Sequence, residues 1–220
     1  MGHDINFLAV TGALHAIGPK ESPAVPLNLV GDFGGGAMML LTGVLAALVE
    51  ARATGTGQVV DAAMVDGTLA LMASTLARYQ AGSWKDEREA NLIDGGAPFY
   101  RTYPTSDGHF MAVGAIEPRF YAALLRGLEL NDETLPPQND RARWPELKER
   151  FAAVFASRAS GEWEKVFEGT EACVTPVLSL GEVSSDPHLM ARGNFVQKDG
   201  ALQLAAAPRF IRSIGPPARP

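Results

Sequence analysis

The run of apolar and polar positions divides the chain into a helical N-terminal part and a mixed C-terminal part. Residues 37–53 are rich in Ala, Leu and Met and contain no proline, and Thr54-Gly55-Thr56-Gly57 follows as a stop, so this stretch is predicted to be a helix. Residues 58–64 give a short apolar strand signal, and residues 66–80 read as a second Ala- and Leu-rich helix that ends near Gly82. Helix, strand, helix is the order of one layer of an open α/β domain, whose other strands have to come from elsewhere. The charged stretch Trp84-Lys85-Asp86-Glu87-Arg88-Glu89 reads as a solvated linker.

After this stretch strand signals enter. Residues 99–103 and 109–115 are strand-like, and Thr105-Ser106-Asp107-Gly108 between them is a hairpin turn. Pro118 suits the first turn of a helix reaching residue 128, and a polar, proline-bearing loop runs on to Arg143. Residues 145–158 are helical, and Ser160 is the expected N-cap of a helix to residue 167. A strand over 174–178, a short helix from Asp186-Pro187 and a hairpin over 195–204 about Asp199-Gly200 complete the pattern. There is no internal repeat.

Composition narrows the function classes. A chain of 220 residues with 46% hydrophobic content can bury a core, and a net charge of -6 gives no bulk attraction for nucleic acid. Cys173 is the single cysteine, which excludes an internal disulfide; with Ala172 and Val174 beside it, it is expected to be a buried structural thiol in a reducing compartment. No charged segment precedes an apolar one at the N-terminus, so the cytoplasm is the expected location. The uncharged stretch 34–49 is shorter than the ~20 residues that cross a bilayer, so it is expected to be a buried helix and no membrane partner is expected.

Two sites could carry chemistry. Asp32 precedes a long apolar helix, where a carboxylate either caps free N–H groups or sits at the positive end of the dipole for a functional reason. Gly34, Gly35 and Gly36 after it would let a ligand approach the backbone amides of that helix end. Gly2-His3-Asp4-Ile5-Asn6 sets a histidine beside a carboxylate, either as a structural pair or as an acid/base group. His15, His109 and His188 add no ligand spacing, so no metal is expected. Asp32-Phe33-Gly34 spells a kinase signature, but the other kinase motifs are missing.

Taken together, Gly2 to Asn6, Leu27-Asn28, Gly31-Asp32-Phe33-Gly34-Gly35-Gly36, Thr54-Gly55-Thr56-Gly57-Gln58 and Ala97-Pro98-Phe99-Tyr100 resemble the family III CoA-transferase superfamily (CaiB/BaiF-like), and within it the racemase branch. Gly114-Ala115-Ile116-Glu117-Pro118, Gly169 to Val174 and Pro208-Arg209-Phe210 extend the match over essentially the whole chain. The resemblance implies an α/β fold: a Rossmann-like large domain, incomplete here, plus a small α+β domain. On this reading residues 1–95 are large-domain helices with a strand and a linker, 96–186 are the small domain, and 187–220 return to the large domain. Members of this type are longer, so the sequence is expected to be about their C-terminal two thirds.

For activity, the resemblance implies 1,1-proton transfer beside the carbonyl of a 2-methylacyl-CoA. His3 would serve one face of the substrate and Asp32 the other, Glu117 would pair with the histidine, and Asp4 and Asn28 would support them. Gly34 and Gly35 would lie at the substrate, and Tyr100 in a segment lining the acyl site. CoA would be part of the substrate, with no separate cofactor, and the assembly would be an intertwined homodimer without nucleic acid. The chemistry is consistent: neutral His3 with protonated Asp32 becomes imidazolium with carboxylate, so total charge is conserved in each turnover. Two rivals stand beside it. Asp32 could be the nucleophile of a CoA-transferase that forms an anhydride, or the chain could be an inactive truncated fragment serving as an interaction module.

Overall fold

A computed structural model describes residues 2–130 and 134–210. Residues 211–220 of the expected C-terminal return, and part of the loop before Arg143, lie outside these. The chain forms two compact units, residues 1–175 and 176–220.

The first unit begins with helices. Helices α1 (Asp4–Val10) and α2 (Ala13–Ala16) open the chain. A π-helical segment, Leu29–Met38, then runs without a break into α3 (Met39–Thr54). Helices α4 (Met64–Leu71) and α5 (Ala73–Gln80) follow. The π-segment packs on α4 and α1. Gly35 and Gly67 make the first of these contacts possible: a Cβ on Gly67 would stand 1.8 Å from the Gly35 carbonyl oxygen, and one on Gly35 would stand 2.7 Å from Thr68 Oγ1.

Three expectations fail in this part. The strand over 58–64 does not form; Val59 is 93% exposed, and an extended apolar run has no ladder to join without neighbouring strands. The helix over 66–80 is two helices, α4 and α5. The stretch 34–49 belongs to a 26-residue helix, Leu29–Thr54, which is long and apolar enough to cross a membrane by length and composition. It is also not buried: α3 contains no buried residue, and Leu40, Leu41, Leu45, Leu48 and Val49 are exposed.

The charged stretch 84–89 is not a free linker. The Arg88 guanidinium donates to the carbonyls of Pro19 (2.8 Å), His15 (3.1 Å) and Lys20 (3.1 Å), and so ties the loop after α2 to the start of the next region. Buried Asn91 continues this with bonds to the Lys85 and Glu87 carbonyls and to Asp94.

Strands β1 (Tyr100–Pro104) and β2 (Phe110–Gly114) form the expected hairpin, and β3 (Val174–Pro176) lies beside β2. Helices α6 (Pro118–Gly127), α7 (Trp144–Phe155) and α8 (Ser160–Phe167) cover it, with α7 packed on β1 and α8 on β2. The core is aromatic: Tyr103 stacks on Phe155 at 5.0 Å, and Phe155 meets Trp163 edge-on at 5.2 Å. Burial pushes the Tyr103 phenol well above its ordinary range.

Two details differ from expectation. Ser160 is the first residue of α8 and Ala159 is its N-cap; the Glu162 carboxylate accepts from Ala159 N, while Asp107 accepts from Ser160 N and Oγ. Cys173 is exposed, in a left-handed turn (φ 52°) where its carbonyl serves Gly114 N while the side chain is left in solvent.

The second unit holds α9 (Pro187–Ala191), capped by the Asp186 carboxylate on Leu189 N at 2.8 Å, and the hairpin of β4 (Phe195–Lys198) and β5 (Ala201–Leu204). The Arg209 guanidinium donates to the Arg192 carbonyl and to Asn194 Oδ1.

Candidate active site

His3 is the N-cap of α1, and the Asn6 side chain accepts from its backbone N–H at 3.0 Å. The imidazole is exposed and has no hydrogen bond among the described residues. Asp4, the next residue, is 7% exposed and reaches the π-segment: its Oδ2 accepts from the backbone N–H of Asp32 at 2.7 Å. The residue that follows His3 is thus hydrogen-bonded to the backbone of Asp32.

Asp32 does not cap the helix, as one reading of the sequence had it. The helix starts three residues earlier with Asn28 as its N-cap, and Asp32 lies in its first turn. The turn is widened, with Phe33 N donating to Asn28 O, five residues back, at 3.3 Å; such π turns cluster at functional positions. The Asp32 side chain is exposed, and its Oδ2 accepts from Asn28 Nδ2 at 3.3 Å. The glycines do not precede the helix either. Gly34 and Gly35 lie inside it, and Gly35 is filled against Thr68 of α4, so close helix packing accounts for it.

Tyr100 and Glu117 belong to the sheet region. Tyr100 pairs with Gly114 across the hairpin and lines an open cleft with Gly95, Thr102 and Cys173. Glu117 is the exposed N-cap of α6, following a segment whose Ala115 and Ile116 carbonyls both accept from Gln138 Nε2. No hydrogen bond or ion pair joins Glu117 or Tyr100 to His3 or Asp32 among the described residues. The candidates therefore stand as two groups: His3, Asp4, Asn28 and Asp32 on one side, Tyr100 and Glu117 on the other. The contact role of Gly31, named only as part of the motif, and Gln138 altogether escaped the sequence reading. Only the run of glycines hinted at the first, and nothing local pointed to the second.

Residues 1–218 match CoA-transferase family III over nearly the whole chain. The chain belongs to that family. Among curated relatives of this family III member, the alpha-methylacyl-CoA racemase of Mus musculus is 52% identical over 196 residues, 89% of this chain and 51% of the relative. The alpha-methylacyl-CoA racemase of Homo sapiens is 49% identical over 199 residues, 90% of this chain and 52% of the relative. The chain spans about half the length of these relatives. A crystal structure of a CAIB/BAIF family protein from Brucella suis superposes with a TM-score of 0.73 at 18% identity, covering 96% of this chain and 57% of that one, which shows the shared family III fold. The α/β fold class is the one expected.

Proposed function

We propose that this chain carries the catalytic residues of a racemase that interconverts (R)- and (S)-2-methylacyl-CoA thioesters through an enolate. The observation that carries the reading is the pairing of about half-identity to two racemases with the hydrogen bond that ties the Asp32 backbone to Asp4, the residue after His3. One base removes the α-proton from one face while the other, protonated, delivers a proton to the opposite face. CoA enters as part of the substrate, so no separate cofactor is required. Tyr100, in the cleft beside Gly114 and Cys173, is the residue we assign to the acyl chain.

Glu117 acts in this scheme by orienting and charging the imidazole of His3. Its exposure and its lack of a bond to His3 within one chain favour a homodimer in which Glu117 meets His3 of a second copy. The bare apolar face of α3 favours the same assembly, because exposed patches of this kind mark interfaces. We accordingly read the 26-residue helix as covered by protein in a cytoplasmic enzyme, with neither a membrane nor nucleic acid as partner. Mixing His3→Ala with Glu117→Ala chains is expected to restore activity, since one intact site forms in each mixed dimer.

The test of the reaction uses the protein expressed from its complete reading frame. In deuterated water it is expected to place deuterium at the α-carbon of a 2-methylacyl-CoA, with His3→Ala and Asp32→Ala each slowing interconversion about 10²- to 10⁴-fold. A second reading, transfer of CoA through an Asp32 anhydride, is favoured by the exposure of that carboxylate and by the family's CoA-transferases, such as the succinyl-CoA–D-citramalate enzyme of Chloroflexus aurantiacus, 28% identical. Absence of α-deuteration, with CoA passed to a carboxylate acceptor, would establish that reading and overturn the racemase. Absence of both would leave an interaction module.

A further inference from the structure

The contacts that hold Asp32 differ sharply in cost. Asn28 meets its carboxylate at 3.3 Å on the exposed side, where water competes for the same oxygen. Asp4 is 7% exposed, one of its oxygens accepts from Asp32 N at 2.7 Å, and the other, Oδ1, is buried with no hydrogen-bond partner. A buried carboxyl group with one unsatisfied oxygen is destabilising, so its retention here calls for a reason. The close approach also fixes the residue opposite: a Cβ on Gly31 would lie 2.5 Å from Asp4 Oδ2. Two positions far apart in sequence are thus fitted to one N–H group, and that group belongs to Asp32. The backbone of His3 is held separately, through Asn6.

We propose that Asp4 is a positioning residue for the Asp32 half of the reaction. Its carboxylate, admitted by Gly31, anchors the Asp32 amide and so sets where the Asp32 carboxyl group meets the α-carbon. Asp4 does not touch the substrate through this carboxylate, and its effect on His3 is secondary although the two are neighbours in sequence. The inference rests on the two-base reading above.

Exchange from each epimer, followed separately in deuterated water with the full-length protein, distinguishes the two ideas. Asp32→Ala identifies the epimer whose α-hydrogen faces Asp32, because only that epimer loses exchange; His3→Ala identifies the other. Asp4→Ala is expected to slow exchange of the Asp32 epimer about a hundredfold, as a displacement of the order of 1 Å does. Exchange of the His3 epimer is expected to persist, without inversion. Asp4→Asn keeps an oxygen that can accept the Asp32 N–H, and it is expected to recover most of the loss. Gly31→Ala, which crowds the carboxylate, is expected to behave as Asp4→Ala does and stands in for it if that variant fails to fold, with thermal unfolding as the check. Equal loss for both epimers, or no loss in a folded variant, would overturn the proposal. If Asp32→Ala and His3→Ala do not divide the epimers, the two-base reading fails, and this inference with it.

Discussion

The aromatic core between residues 97 and 174 and the helices that carry His3 and Asp32 are built in opposite ways. In the first, Phe99, Met111, Leu124, Leu147, Phe151 and Phe155 are all wholly buried, so every element contributes a face to one shared interior. In the second, α3 buries nothing, while the tight contacts are made by Gly31, Gly35, Gly67, Thr68 and Asp4. A region that closes its own core draws stability from apolar area. A region that leaves its apolar face open is located by a few close polar and backbone contacts, and these are where catalytic groups can be held.

The sharpest test of that contrast is Phe155→Ala, expected to cost about 3–5 kcal/mol through transfer and cavity terms. Leu48→Ala on the bare face of α3 is expected to change little in the isolated chain. Both are read by urea unfolding followed through the fluorescence of buried Trp144 and Trp163. If the two substitutions prove equally damaging, the 220-residue chain covers α3 in solution and the contrast breaks. Next comes Gly67→Ala, where the added methyl meets the Gly35 backbone and is expected to cost about 1–3 kcal/mol. A smaller loss there would mean that the helices separate freely.

Arg88→Ala removes three bonds to backbone carbonyls that join the two regions and is expected to cost about 1–2 kcal/mol, partly offset by water at this accessible site. Hydrogen exchange is expected to show the effect at residues 15–20 before it appears at the hairpin. Asp107 should give the smallest effect. The Thr105 hydroxyl, and then Ser160, hold its carboxyl well below its ordinary 3.8 in the folded chain. Its contribution is therefore complete above pH 3.8 and fades as the pH falls through the lower folded value. Asp107→Asn is expected to flatten that part of the acid limb, measured as the urea midpoint against pH, by lowering stability slightly above pH 3.8 and leaving the most acid end unchanged.

How much was legible in the sequence follows the same contrast. The hairpin of β1 and β2 was readable because both strands and their turn are adjacent, and α6 because Pro118 marks its first turn. The strand over 58–64 was not, because an apolar pattern does not say whether a neighbouring strand is there to pair with, and none is among the described residues. His3 and Asp32 were singled out through the motifs around them, yet the motif did not reveal that the glycines serve α4 or that Asp32 lies inside a widened turn. Arg88 was misread for a similar reason: charge in a polar run looks solvated until the carbonyls it binds, some seventy residues away, are in view.

The joint between the π-segment and α3 makes the length of this helix unusually exacting. Each residue of an α-helix advances the direction of its side chain by about 100°. Deleting one residue from the first turn of α3, where no wide turn takes up the change, would rotate Gly31 and Asp32 away from Asp4 by roughly that angle while the rest of α3 kept its own phase. Helix content would scarcely change, but the two screws would no longer mesh. Position in this segment is a matter of counting as much as of chemistry.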